Sequence, residues 1–98
     1  MIMKKRDKSI IQNDLTKCYV CGRPREAIHE VFYGTANRKK SIEYGCYIAL
    51  CGEHHNLSNK GIHFDKALDN YVKAETQAEF EKIYGHEKFI KTFGKSYL

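Results

Sequence analysis

The sequence has no long apolar run. No stretch approaches the roughly 20 consecutive apolar residues that a membrane-spanning helix needs, and Met1–Ile10 is too highly charged for a secretory signal peptide. We therefore expect a soluble protein that acts inside the cell. The chain is also short, and its 98 residues allow a single domain. Because so small a domain buries proportionally little surface, we expect an internal staple such as a bound metal ion.

The chain has four cysteines, and their spacing is informative. Cys18 and Cys21 form a Cys-x2-Cys pair, and Cys51 and His54 repeat that spacing downstream. In a secreted chain four cysteines would indicate disulfides, whereas this spacing is typical of a metal site in a reducing compartment. The pattern predicts a closed tetrahedral zinc site rather than buried free cysteines. We interpret the remaining thiol, Cys46, as a small buried hydrophobe rather than a fifth ligand.

The net charge is +5, and its distribution is uneven. Residues 1–60 contain 11 Lys and Arg against 6 Asp and Glu, whereas residues 61–98 contain 6 of each kind. The basic part therefore coincides with the cysteine and histidine motifs. A positive field over a site of chemistry suits a polyanionic substrate such as a nucleic acid. The alternative is that the excess charge only keeps a small protein soluble.

Residue patterns predict a small α+β domain, in which two short antiparallel strands and a helix surround the metal sites and further helices follow. We divide the chain into a loose basic N-terminal arm (1–13), a zinc-stabilised core (14–64) and a helical extension packed on that core (65–98). The arm is either a phosphate-tracking tail or a frayed terminus. The predicted elements are strands Ala27–Tyr33 and Tyr44–Leu50, a loop at Gly34–Ser41, and helices Phe64–Tyr84 and Glu87–Phe93.

The longer predicted helix has an amphipathic pattern. Phe64, Tyr71 and Ile83 fall on its apolar stripe, and Asp69 and Lys73 fall on its polar face. Neither helix carries an excess of charge or a chemical motif. We therefore expect both helices to pack on the metal-centred core.

The first predicted strand contains His29 and Glu30. Adjacent strand residues point to opposite faces, so these two could serve one centre only where the strand ends or is distorted. The run Arg38, Lys39 and Lys40 follows the strand, and its nearness to His29 favours contact with phosphate over a merely solvated loop.

The order of these motifs resembles the HNH, or ββα-metal, nuclease superfamily in its zinc-containing form. The similar region is roughly Cys18–Phe64. The runs His29–Arg38 and Leu50–Asn56, with the ending Phe93–Leu98, are similar to small HNH-type proteins of bacteriophages and prophages.

The resemblance implies a role for each matching residue. It implies four structural zinc ligands: Cys18, Cys21, Cys51 and His54. His55 corresponds to a histidine that binds a catalytic divalent ion, with possible help from His63. His29 and Glu30 occupy the places of a metal ligand and of the general base that activates water. In an alternative register His29 is the base, but Ile28 then occupies the ligand position and cannot bind metal.

The sequence departs from the family pattern at two positions. Glu30 replaces the usual histidine base, and a carboxylate near its ordinary pKa of about 4.3 is a weaker base than imidazole at neutral pH. The asparagine that normally braces the loop is missing from its usual place, and Asn37 could take over that role.

The resemblance implies a DNA endonuclease in the cytoplasm of a bacterial host. The expected cofactors are a structural Zn²⁺ and a catalytic Mg²⁺, Mn²⁺, Ni²⁺ or Zn²⁺, and imidazole ligands suit the later ions better than Mg²⁺. The alternative is a catalytically inactive zinc module that binds nucleic acid or a protein. Expected partners are DNA and either a second copy of the chain or a phage protein.

Overall fold

Two short strands form the sheet at the centre of the fold. In this computed structural model, which describes residues 8–57 and 61–98, β1 (Ala27–Glu30) pairs antiparallel with β2 (Tyr47–Leu50). In the register of the pair, His29 lies opposite Ile48. All four residues of β2 are buried. Because side chains alternate between the faces of a strand, β2 must be covered on both faces.

Residues 8–12 run alongside β2 and are hydrogen-bonded to it. The Ser9 hydroxyl donates to the carbonyl of Tyr47 over 2.7 Å, and the amide of Ala49 donates to Oε1 of Gln12 over 2.8 Å. The first seven residues of the expected N-terminal arm lie outside the described residues. The part of the arm that is described is attached to the sheet, so the expectation of a loose segment is wrong there.

The predicted loop at Gly34–Ser41 is wrong, because the chain forms helix α1 (Thr35–Tyr44). Ser41 is the one residue of α1 that is buried, so the helix has no apolar stripe by which it could be recognised. Its hydroxyl donates to the carbonyl of Phe32 over 2.7 Å and accepts from the Phe32 amide over 3.1 Å. Gly45 ends the helix in a left-handed conformation, with a φ of 75°.

Two further helices follow, as the sequence predicts: α2 (Lys66–Tyr84) and α3 (His86–Phe93). The side chain of Asp65 caps α2 by accepting from the amide of Leu68 over 3.1 Å. Both helices contribute aromatic side chains to the core around Phe32. The members of this aromatic cluster are Phe32, Phe80, Phe89 and Phe93.

The buried face of α2 differs from the predicted apolar stripe. Phe64, just before the helix, and Tyr71 and Ile83 within it are exposed by 64%, 62% and 57%. The assignment of Asp69 to a solvated polar face is also wrong, since this residue is only 8% exposed. Three polar residues share the buried face of α2: Asp69, Thr76 and Gln77.

The described residues thus form a small α+β domain with a two-stranded sheet and four helical segments, the fourth being a π-helical turn at Glu53–Leu57. One hydrophobic core takes side chains from Cys18 to Phe93. The division of the chain into three parts stays a prediction. None of the helices in the described ranges is long and apolar enough to cross a membrane.

Candidate metal centres

The first candidate centre starts at a tight turn before β1. The amide of Cys18 donates to the carbonyl of Arg23 over 2.7 Å, and the amide of Gly22 donates back to the carbonyl of Cys18 over 2.9 Å. These bonds fold the Cys-x2-Cys segment on itself. The turn therefore brings the side chains of Cys18 and Cys21 to the same side of the chain.

Cys51 and His54 complete this cluster from the end of β2, which lies beside the start of β1. Cys51 directly follows β2, and His54 lies in the π-helical turn. Nδ1 of His54 is 3.4 Å from Sγ of Cys51 and 3.8 Å from Sγ of Cys18, and the Sγ atoms of Cys21 and Cys51 are 3.7 Å apart. All four candidate ligand atoms lie within 4.8 Å of one another.

This Cys3His cluster has the dimensions of a zinc site. With Zn–S bonds of about 2.3 Å and Zn–N bonds of about 2.0 Å, tetrahedral ligands stand about 3.8 Å (S to S) and about 3.5 Å (S to N) apart. The separations above agree with both values. The cluster could therefore hold a structural zinc ion through four protein ligands.

The electrostatics of Cys18 favour the thiolate that zinc requires. Burial raises the pKa of this thiol, but backbone hydrogen bonds from Cys51, Cys21 and Val20 outweigh burial and bring the pKa down from its ordinary 9.0 to about 6. At neutral pH the thiolate is the favoured form, and it is the form that binds metal.

The second candidate centre consists of three histidines from three segments. His29 lies on β1, His55 in the π-helical turn, and His63 in the turn before α2. The centroids of their rings are 4.7 to 5.5 Å apart, and Nε2 of His55 is 3.1 Å from Nε2 of His63. One ligand nitrogen from each ring lies within 4.8 Å of the other two.

His29 is the buried member of this three-histidine cluster. It is 3% exposed, and its Nε2 atom has no hydrogen-bond partner within the described ranges. Burial, together with the nearby rings of His63 and His55, lowers the pKa of His29 from 6.5 to about 3. A neutral imidazole with an unpartnered buried nitrogen suits a metal ligand. The cluster could hold a metal ion through three protein ligands.

The close approach of His63 to His55 depends on Gly61. A Cβ atom at Gly61 would lie 2.7 Å from the carbonyl oxygen of His55. The segment after Gly61 pairs with the π-helical turn, where the amide of Ile62 donates to the carbonyl of His54 over 2.7 Å. Only glycine allows this backbone contact without displacing one of the two segments.

A cavity of about 220 Å³ opens at the three histidines. It is also lined by Glu30, Tyr33 and Arg38, and Nε of Arg38 is 3.5 Å from Oε1 of Glu30. Both His29 and Glu30, the last residue of β1, border this cavity although they are consecutive in the strand. Helix α1 places Arg38 at its edge.

Three other residues predicted for the site lie on α1 near Arg38. Asn37 and Lys40 are partly buried, and Lys39 is exposed. Among the described residues these three do not line the cavity. Their predicted roles in bracing the site and binding phosphate stay predictions.

Sequence reasoning missed a polar group behind the cavity. The Tyr33 hydroxyl donates to Oδ2 of Asp69 over 2.9 Å, and Nζ of Lys73 donates to the same oxygen over 2.9 Å. Lys73 also lies over the Tyr33 ring, 4.3 Å from its centroid. An acid and a lysine four residues apart are common on exposed helix faces. The sequence therefore carried no signal that this pair is buried.

Comparison with family models, curated proteins and solved structures found no match to this chain. The class that fold and site define is a small α+β domain with a Cys3His cluster that could bind zinc. The resemblance to HNH nucleases stays a prediction.

Proposed function

We propose that this chain is a metal-dependent endonuclease of the HNH type that hydrolyses phosphodiester bonds in DNA. The observation that carries the proposal is the convergence of His29, His55 and His63 in a cavity that Arg38 also lines. The motif order Cys-x2-Cys, His-Glu, Cys-x2-His-His supports the same family. The resemblance of the runs His29–Arg38 and Leu50–Asn56 to small HNH-type proteins of bacteriophages supports a role in the cytoplasm of a bacterial host.

The two clusters have separate tasks in this proposal. The Cys3His cluster would hold a structural zinc, and with four protein ligands that ion has no open position for chemistry. The three-histidine cluster would hold the catalytic ion. His54 and His55 are consecutive residues, and each contributes to a different cluster.

A divalent ion on His29, His55 and His63 would supply stabilisation of the negative charge that develops on a scissile phosphate. The chain provides the remaining functions. His29 is buried and its pKa is lowered, so it would act as a neutral ligand rather than as a cation. Arg38 offers a positive charge at the edge of the cavity, and Lys39 and Lys40 extend that charge along α1 to neighbouring phosphates.

Glu30 is the proposed general base. His29 Nε2 is buried, which favours a ligand role for that ring. Glu30 borders the same cavity and pairs with Arg38, and in this proposal its carboxylate would accept a proton from the attacking water. We assign Asn37, one residue before Arg38, to bracing the start of α1.

One observation favours a second candidate function. A carboxylate stands where the family has an imidazole base, and carboxylates are weak bases near neutral pH. A domain that has lost its chemistry would keep the zinc cluster and the basic residues. It would act as a zinc-containing module that binds nucleic acid or a protein partner.

Plasmid nicking distinguishes these two functions. Zinc-loaded protein is assayed with added Mg²⁺, Mn²⁺, Co²⁺ or Ni²⁺, beside His55→Ala, Glu30→Ala and the control His86→Ala. His86 is exposed on α3 and pairs with Glu81, so its loss should leave nicking unchanged. We expect His55→Ala to abolish nicking and Glu30→Ala to reduce it at least a hundredfold.

The zinc content of each sample shows whether lost activity is lost catalysis or lost fold. If zinc-loaded wild-type protein nicks no plasmid with any of the ions yet retards DNA on a gel at low salt, the endonuclease proposal fails and the binding module stands. Equal nicking by wild type and Glu30→Ala would remove Glu30 from the base role.

A further inference from the structure

We propose that Asp69, on α2, is a positioning residue for the three-histidine cluster, which it holds in shape through Tyr33 and His29. The proposal rests on the function proposed above and extends its site to a helix outside the region that resembles the HNH motif. Asp69 does not border the cavity itself. Its role would be to fix the groups that do.

The first observation is the burial of the Asp69 carboxylate. The residue is 8% exposed, and its Oδ1 atom has no hydrogen-bond partner in the described part of the chain. Its Oδ2 atom accepts from both Tyr33 and Lys73. Buried carboxylate oxygens in native proteins are nearly always paired, so an unused one calls for an explanation.

The second observation is the chain of contacts from Asp69 to the histidines. Tyr33 donates its hydroxyl proton to Asp69, and its ring lies edge-on to His29 at 5.8 Å and beside His63 at 6.1 Å between centroids. Nζ of Lys73 donates to the same carboxylate and lies 4.3 Å from the centroid of the Tyr33 ring. Tyr33 therefore cannot turn without breaking its bond to Asp69.

The third observation is chemical. A histidine that binds a metal usually donates its other ring N–H to a carboxylate or carbonyl, which fixes the orientation of the ring. Within the described residues Oδ1 of Asp69 makes no hydrogen bond to His29, so the Tyr33 ring, which Asp69 holds, would take the place of such an acceptor. Asp69 would thus steady His29 through the Tyr33 ring.

A buried Asp69–Lys73 ion pair could instead serve stability alone. Removing one partner of such a pair leaves an uncompensated buried charge and is destabilising whatever ion is bound elsewhere. The double variant Asp69→Asn with Lys73→Met removes both charges and should recover most of that stability. A positioning role predicts that the double variant, although stable, still binds an ion at the three-histidine cluster more weakly than wild type does.

The test is a titration with Mn²⁺ of protein loaded with one zinc per chain, followed by the electron paramagnetic resonance signal of the free ion. Mn²⁺ binds protein ligands more weakly than zinc and leaves a thiolate-rich zinc site intact. The variants are Asp69→Asn, Tyr33→Phe and the double variant. Glu79→Gln is the matched control, because it makes the same kind of change on an exposed part of α2.

We expect Asp69→Asn and the double variant to bind Mn²⁺ about 10- to 100-fold more weakly than wild type. Tyr33→Phe should bind Mn²⁺ several-fold more weakly than wild type. Glu79→Gln should match the wild-type affinity. Nicking at saturating Mn²⁺ should recover in Asp69→Asn towards the wild-type rate, since a positioning residue acts on ion binding.

Unchanged Mn²⁺ affinity in Asp69→Asn would overturn the proposal, as would recovery of affinity together with stability in the double variant. Wild-type protein that binds no Mn²⁺ beyond its zinc would overturn it too. Wild-type protein that binds Mn²⁺ in an Asp69-dependent way but cuts no DNA would refute the proposed nuclease function alone.

Discussion

Nε2 of His55 and Nε2 of His63 lie 3.1 Å apart although the two residues belong to different segments. The carbonyl of His55 also accepts from the amide of His63 over 3.3 Å. The pair is therefore set by backbone contact rather than by side-chain packing alone. Gly61, which lies against His55, makes that contact possible.

Gly61→Ala should disrupt the three-histidine cluster while leaving the zinc cluster intact. The new Cβ would lie 2.7 Å from the His55 carbonyl oxygen, so the segment that carries His63 must move away. We expect Mn²⁺ affinity to fall at least tenfold in the titration described above.

Gly94→Ala is the matched control for that substitution. Gly94 has a φ of 91° and open space around its Cα, so alanine there is strained but meets no neighbour. It should lower the free energy of unfolding by about 1 kcal/mol without a change in Mn²⁺ affinity. Equal affinity in Gly61→Ala and Gly94→Ala would show that the contact does not position His63.

Cys51→Ala should cost the protein its zinc and its fold. Cys51 is 2% exposed and contacts both Cys21 and His54, and structural zinc supplies much of the folding free energy in domains of this kind. Cys46→Ala is the control, because Cys46 is equally buried but lies outside the cluster. It should keep one zinc per chain and lose about 1 kcal/mol of stability.

Atomic absorption measures the zinc content of each variant, and thermal unfolding measures its stability. A Cys51→Ala protein that retains one tightly bound zinc and the wild-type melting temperature would contradict the assignment of this residue as a ligand.

The burial of His29 should make stability depend on pH. Its pKa is about 3 in the folded protein against an ordinary 6.5, so below pH 6.5 the unfolded chain takes up a proton that the folded chain does not. The free energy of unfolding therefore falls with pH below 6.5, towards a limit of about 1.4 kcal/mol per pH unit. This contribution is fully present above pH 6.5.

Urea unfolding of wild type and His29→Gln at pH 7.5 and pH 5.5 tests this dependence without added divalent ions. Zinc release affects both proteins, so the difference between them isolates His29. The wild type should lose about 1 kcal/mol more than the variant on acidification. Parallel losses would contradict the effect.

Substitution of the basic residues of α1 should weaken DNA binding uniformly across sequences. Arg38→Gln, Lys39→Gln and Lys40→Gln each remove one proposed phosphate contact, so the slope of log affinity against log salt should fall by about 1 for each. Lys82→Gln and Lys91→Gln are controls on exposed faces of α2 and α3. An equal effect of these controls would assign binding to net charge rather than to α1.

The cysteine spacing was sufficient to predict the first cluster, because Cys-x2-Cys and Cys-x2-His turns bring ligands together locally. The adjacent His29 and Glu30 were harder to interpret, since strand geometry sets them on opposite faces. The structure nevertheless places both residues at the border of one cavity, at the end of β1. The ends of strands are among the features that are hardest to predict from a sequence.

Helix α1 could not be predicted from periodicity, because its one buried side chain is the polar Ser41. Asp69 and Lys73 were misplaced for a related reason. Their spacing fits an exposed ion pair, and only the packing of α2 beside Tyr33 buries them. Tertiary contacts thus decided both cases, and a single sequence does not display them.

His54 and His55 are consecutive residues of one π-helical turn, and this turn connects the two clusters. His54 can hold its ion only when the π-helical turn has the shape that also presents His55 to His29 and His63. A zinc ion on His54 would therefore also favour the arrangement of His55 that the second cluster needs. Loss of zinc would then weaken the second cluster as well, although the two clusters share no ligand.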